Sequence, residues 1–172
     1  MAIHDVLIIG NPKLRKKSKN IIKIDKKIKK LTDDLIDTMY EKKGVGLAGV
    51  QIGKIKNIFA LDIENITQGP IVFINPVIEK KSRDYISFEE GCLSLPGYNF
   101  MVKRHQSLIL RYQDIHGEEQ KLHASGILAI VIQHEMDHLN GNFFIENLDK
   151  KQLKKAVKKL ADFNLHYDKP LQ

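Results

Sequence analysis

The sequence predicts an α+β fold, with antiparallel strands packed around a central metal-binding helix, one helix before them and one after. Two observations carry this. Helical periodicity is confined to residues 25–43, 125–139 and 149–163, whereas alternating and β-branched patterns fall between residues 57 and 123. Strands and helices are therefore segregated, not interleaved as βαβ units.

The elements follow in order. In the first helix, Ile28, Leu31, Leu35, Ile36 and Met39 recur at helical spacing, Asp25 stands at the N-cap, and Gly44 ends it. Gly44-Val45-Gly46 opens a loop. Strands are expected at residues 57–63, 71–78, 85–88, 107–114 and 119–122, the last two joined by a turn around Ile115-His116-Gly117. Ser125 is placed to cap a helix running to about Leu139, with Gly141 just past its end. Asp149 caps a last helix, expected to end near Phe163. Its apolar face is Leu153, Val157, Leu160 and Ala161, and its other face carries Lys150, Lys151, Lys154, Lys155, Lys158 and Lys159.

With 172 residues, 42% of them hydrophobic, the chain suits one compact domain spanning residues 1–172. No apolar run approaches the roughly 20 residues that span a bilayer, so no membrane association is expected. Residues 1–11 lack the pattern of a secretory signal, which points to the cytoplasm. The single cysteine, Cys92, excludes an internal disulfide and leaves a buried thiol, a nucleophile or a metal ligand. The net charge of +7 comes mostly from lysine in a chain also rich in isoleucine and asparagine, the signature of an AT-rich genome. A ribosome-facing basic surface is the functional alternative, with no DNA partner expected.

The chemistry concentrates in Gln133-His134-Glu135-Met136-Asp137-His138. On a helix, His138 returns beneath His134 roughly 6 Å along the axis, so both imidazoles reach one metal ion. Glu135 stands beside the first ligand, where it can hold the proton of an activated water. Ile127, Ile130 and Val131 share the histidines' face, so the imidazoles end a core-facing stripe and need partners there.

A catalytic site needs a third protein ligand and an open position. Downstream, Glu146, Asp149 and His166 are available and none stands out. Upstream, Cys92 lies in Glu89-Glu90-Gly91-Cys92-Leu93-Ser94-Leu95-Pro96, where Gly91 lets the backbone approach closely and Pro96 stiffens the exit. Gly44-Val45-Gly46-Leu47-Ala48-Gly49-Val50-Gln51 lacks the ending of a phosphate loop, and its Gln51 offers an amide donor for an oxyanion.

Gly-Val-Gly-Leu-Ala-Gly-Val-Gln, Glu-Gly-Cys-Leu-Ser and Gln-His-Glu-Met-Asp-His-Leu-Asn-Gly resemble, in order and separation, the three signature motifs of peptide deformylases. Pro12-Lys13-Leu14-Arg15, preceded by Asn11, resembles that family's N-terminal Pro-x-Leu-Arg element. One position departs: Gly49 stands where the family usually has alanine, which is expected to loosen the turn before Gln51.

The resemblance implies hydrolytic removal of the formyl group from N-formyl-methionyl nascent peptides, releasing formate. It implies one divalent metal on Cys92, His134 and His138, iron(II) by family habit, with zinc, nickel or cobalt accepted by such a ligand set. Glu135 is then general base and acid, and the Gln51 side chain and Leu93 N–H meet the oxyanion. Val45, Ile127, Ile130 and Val131 are expected around the methionine side chain, with Gly46 and Gly91 at the substrate backbone. Glu90, Arg104 and Asp137 are expected to support the ligands from behind.

Two other functions compete. A zinc endopeptidase of the His-Glu-x-x-His type predicts a downstream third ligand and a dispensable Cys92. A basic binding protein with a structural metal predicts four protein ligands.

Overall fold

The computed structural model describes residues 2–162 together with 165, 167 and 169. Helix α1 (Lys26–Glu41) is capped by Asp25, whose carboxylate accepts from the N–H groups of Lys27 and Ile28. Its buried side, including Ile28, Leu31, Leu35 and Met39, packs on β1 (Gly46–Ala48) and β2 (Ile58–Leu61). A 3-10 turn, Gly49–Ile52, separates those strands. Then come β3 (Ile71–Lys81), β4 (Tyr85–Cys92), β5 (Leu95–His105), β6 (Ser107–Gln113) and β7 (Glu119–Ser125).

All paired strands are antiparallel. Five form a sheet in the order β1-β2-β3-β6-β7, and β4 pairs with β5 as a separate two-stranded sheet. The β6–β7 hairpin is closed as expected: the Asp114 carboxylate accepts from the N–H groups of His116 and Glu118, and Gly117 supplies a positive φ of 88°. Helix α2 (Gly126–Leu139) packs against β1, β2, β5, β6 and β7, so strands of both sheets flank it. Ala129, Ile132 and Leu139 of α2 join Phe59, Phe73 and Leu110 in one apolar core.

Several expectations are corrected. β1 lies in a stretch read as loop, and β5 lies in the strand-favouring region but in a stretch given no strand of its own. In β5, Tyr98, Phe100, Val102 and Arg104 turn inward while Asn99, Met101 and Lys103 are exposed. The alternation was present, but Pro96-Gly97 reads as a breaker and an inward arginine breaks the apolar pattern. Ser125 occupies the N-cap position of α2 without a side-chain cap hydrogen bond. In α3 (Lys150–Asp162), Ala156 and Leu160 are buried and Ala161 is exposed. Asp149 caps α3 as expected, accepting from the N–H of Gln152 at 2.7 Å. Phe163, the expected helix end, lies outside the described residues.

The turn at Gly49 is not loose. A Cβ there would stand 3.0 Å from both Ile58 Cγ2 and the Lys54 carbonyl oxygen, so Ile58 fills the space that an alanine methyl would take. No helix among the described residues is long and apolar enough to cross a membrane.

The Pro12–Arg15 stretch is a 3-10 turn with Leu14 fully buried. Arg15 reaches the end of α2, donating to the Gly141 carbonyl at 3.1 Å, pairing with Glu146 and lying over the Phe143 ring.

Candidate metal centre

Helix α2 and the end of β4 bring three candidate ligands together. His134 and His138 stand one turn apart with ring centroids 5.0 Å apart, and Cys92 joins them. One ligand atom from each, the Cys92 sulfur and an imidazole nitrogen of either histidine, lies within 4.8 Å of the other two. Cys92 reaches this position because the β4–β5 register shifts between Glu90 and Cys92, a bulge that re-aims the strand end. Glu146 is held by Arg15, Asp149 caps α3, and neither joins the group, while His166 lies outside the described residues.

The histidines are set in different electrical surroundings. His134 donates its Nδ1–H to Glu90 at 2.8 Å, which leaves Nε2 as its candidate ligand atom. Burial opposes a charge on His134, but hydrogen bonds with Cys92 and Glu90 outweigh it and hold the ring well above the ordinary histidine range. His138 is pushed well below that range by burial, and then by His134 and Arg104, so its ring is neutral and has a lone pair to give. Its Nε2 lies 3.2 Å from Cys92 Sγ.

Behind Glu90 runs a charged chain. Arg104 donates to both Glu90 oxygens, at 2.7 and 3.0 Å, and to Asp137 at 2.7 Å, and Asn147 also donates to Asp137 at 3.0 Å. Burial would raise Glu90, yet the hydrogen bonds from His134 and Arg104 keep it below the usual carboxylate range. Glu90, Arg104 and Asp137 thus stand together directly behind His134.

Glu135 is 3% exposed, and its Oε2 has no hydrogen-bond partner. Burial is the main force raising its carboxyl to about 7; His134 opposes it, and Glu90 and Asp137 add to it. A carboxyl poised there can both take and return a proton at neutral pH. The carboxylate fits because residue 46 is glycine, whose Cβ would lie 2.5 Å from Glu135 Oε1.

A cavity of about 510 Å³ opens over these groups. Its lining includes Cys92, His134 and Glu135, and with them Gln51, Leu93, Gly46 and Gly91. Of the apolar residues expected around it, Val45, Ile130 and Val131 are present; Ile127 is not, and lies 40% exposed in the first turn of α2. Phe88, Leu95 and Asn99 also line it and were missed. Phe88 shares a strand face with Glu90, so reading β4 through to Cys92 would have found it. Gln51 is pinned at both ends of its amide: Oε1 accepts from the Ala48 N–H at 2.8 Å, and Nε2 donates to Ser94 Oγ at 3.1 Å.

A metal fits this group. A thiol and two imidazoles are borderline-soft donors, and three protein ligands leave a position open, as catalytic sites require. Among the described residues, Glu135 Oε2 and His138 Nδ1 in this cluster are buried without a hydrogen-bond partner.

Residues 3–154 match the polypeptide deformylase family model. The chain belongs to that family. A peptide deformylase from Agrobacterium fabrum is 41% identical over 163 residues, covering 94% of this chain and 96% of the relative. The crystal structure of a peptide deformylase from Legionella pneumophila superposes with a TM-score of 0.87 at 36% identity, covering 95% of this chain and 96% of that one. That from Synechococcus elongatus, in complex with actinonin, gives 0.84 at 38% identity, covering 91% and 85%. Peptide deformylases are metal-dependent hydrolases that remove the N-formyl group from nascent peptides. This chain is an enzyme of that kind, and the endopeptidase alternative is not favoured.

Proposed function

We propose that Cys92, His134 and His138 hold one divalent metal, iron(II) in the cell, and that the substrate is the N-formyl-methionyl end of a new chain in the cytoplasm. A cation held there supplies Lewis-acid chemistry, making water acidic enough to lose a proton near neutral pH. Glu135 takes the proton of the water that adds to the formyl carbon. It returns the proton to the amine nitrogen as the C–N bond breaks, leaving formate and a free amino terminus. The Gln51 amide and the Leu93 N–H face the oxygen that gains charge on the way. Val45, Ile130 and Val131 receive the methionine side chain, and Gly46 and Gly91 admit the peptide backbone. Glu90 fixes the His134 ring, and Arg104 and Asp137 fix Glu90.

The observation that carries the reading is the buried Glu135 carboxyl, its Oε2 without a partner among the described residues, in the same cavity as Cys92 and His134. The decisive experiment is formate release from a short formyl-Met peptide, with protein prepared anaerobically with iron or reconstituted with nickel. Release that disappears in Glu135→Ala at full metal content is expected. No release at one metal per chain would sink the assignment. Loss of the metal in Cys92→Ala separates this ligand set from an endopeptidase's.

The lysines of α3 bear on where the enzyme works. Lys150, Lys151, Lys154, Lys155, Lys158 and Lys159 are all exposed, which supports transient docking on ribosomal RNA. Salt-sensitive ribosome binding that weakens on charge reversal at Lys154, Lys155, Lys158 and Lys159 is expected; unchanged binding would retire the idea.

A further inference from the structure

We propose that Ser94 is the positioning residue for Gln51, and that the N-terminal segment at Leu7 and Ile9 locks the two in place; this rests on Gln51 being an oxyanion donor. Ser94 is fully buried, one residue beyond Leu93 in the turn that follows Cys92. A glutamine amide has two N–H donors and one acceptor oxygen. The Ala48 N–H can only donate, so it fixes which end of the Gln51 amide is oxygen. One N–H is then committed to Ser94 Oγ at 3.1 Å. The amide nitrogen is also 3.7 Å from Cys92 Sγ, so its remaining donor is turned to the metal-ligating side of the cavity. Without the serine hydroxyl, the amide keeps the Ala48 N–H and the long contact to Cys92 Sγ, and the close anchor on its nitrogen is gone. A donor fixed before the substrate arrives needs no reorganisation as charge develops.

The second layer is backbone. Gln51 and Leu93-Ser94 come from segments far apart in the chain. The Leu7 N–H donates to the Gln51 carbonyl at 2.7 Å, and the Ile9 N–H donates to the Ser94 carbonyl at 2.9 Å. These two N–H groups, two residues apart, tie the Gln51 turn and the Leu93 turn to one stretch of chain. That stretch is held on α1 by the Ala2 N–H on Asp34 and the His4 N–H on Thr38. Both proposed oxyanion donors are thereby set relative to one another by a segment that does not line the cavity.

The test is a double-mutant cycle in the metal-loaded enzyme, reading kcat, KM, metal content and Tm. Ser94→Ala is expected to lower kcat about tenfold, a fraction of the 10²–10³ typical of deleting an oxyanion donor, at full metal content and near-constant KM. In a Gln51→Ala background the same change is expected to do almost nothing, because there is no amide left to aim. A merely structural serine would cost the same in both backgrounds, and that result overturns the proposal, as does unchanged kcat in Ser94→Ala. Full kcat in Gln51→Ala would sink the oxyanion reading itself and this inference with it. Leu7→Pro removes the N–H and is expected to lower kcat, whereas Leu7→Ala keeps the N–H and is expected to spare it. Equal effects of the two would overturn the backbone half, and the Ser94 cycle decides the rest even where Leu7→Pro does not fold.

Discussion

Glu135 Oε1 occupies the space beside Gly46 where a β-carbon would come within 2.5 Å. Gly46 has no positive φ, so its role is room and not backbone freedom. Gly46→Ala is therefore expected to fold and to displace the carboxylate. A displacement of about 1 Å costs on the order of 10²-fold in rate. The check is kcat for formyl-Met peptide hydrolysis alongside Tm and metal content. A variant with wild-type kcat would mean that Glu135 tolerates another position, and its assigned role would lose its geometric support.

Glu90 is the joint between the metal ligands and the ion pairs behind them. It accepts from His134 Nδ1 and from two nitrogens of Arg104, all buried. Glu90→Gln removes the charge, leaving Arg104 with Asp137 as its remaining carboxylate. Breaking one side of a buried pair typically costs about 3–5 kcal/mol. Loss of a ligand's hydrogen-bond partner typically costs about 10–100-fold in metal affinity. Both losses are expected here, by denaturant unfolding and by competition with a chelator. Asp137→Asn is expected to be milder, because that carboxylate is 22% exposed and Asn147 stays beside it. Full metal affinity and stability in Glu90→Gln would remove Glu90 from the supporting role.

The parts of this site that were legible in the sequence are those whose chemistry is carried by residue type at a fixed spacing. His134 and His138 are ligand types one helical turn apart, and Glu135 between them needs only the helix to find its place. Cys92 needed more than spacing, because a β-bulge delivers it from another element. Ser94, Leu7 and Ile9 were missed for a physical reason: they act through a hydroxyl and backbone N–H groups on partners dozens of residues away, and such contacts leave no periodic trace. Strand β5 was hidden by Arg104, an inward charge whose partners, Glu90 and Asp137, lie on two other elements. Ile127 shows the opposite error. Helical phase alone put it on the histidines' stripe, but it stands 40% exposed and outside the lining of the cavity.

Gly49 makes a prediction about exchange with the more usual alanine. Replacing glycine by alanine at a compatible φ and ψ normally stabilises by about 0.4–1 kcal/mol through the unfolded chain. Here the new methyl would meet Ile58 Cγ2 and the Lys54 carbonyl at 3.0 Å, and overpacking typically costs about 1–3 kcal/mol. Gly49→Ala is thus expected to destabilise by about 1 kcal/mol. Ile58→Leu removes the Cγ2 branch, so the double variant is expected to recover part of that loss, the Lys54 contact remaining. Denaturant melts of the four proteins test it. A stabilised single variant would show that the turn yields without strain.

Asp34 gives the chain an acid-dependent step in stability. Its carboxylate accepts from the Ala2 N–H at 2.8 Å, lies 2.9 Å from Lys30 Nζ and pairs with His4. Burial would raise it, but the hydrogen bonds from Lys30, Ala2 and His4 prevail and hold it at about 2, against 3.8 for an unperturbed aspartate. A carboxylate depressed on folding contributes fully above its unfolded value, and the contribution is lost as pH falls through the folded one. The window therefore runs from about pH 4.5 down to about pH 2, with about half gone at pH 3. Lys30 is 59% exposed, so solvent screening holds the total to about 1–2 kcal/mol. Asp34→Asn is expected to lose that amount at pH 7, and the gap from the unsubstituted protein is expected to narrow as pH drops from 4.5 to 3. Urea melts across that range measure it. A gap that stays constant would assign the loss to neutral hydrogen bonding and not to the charge.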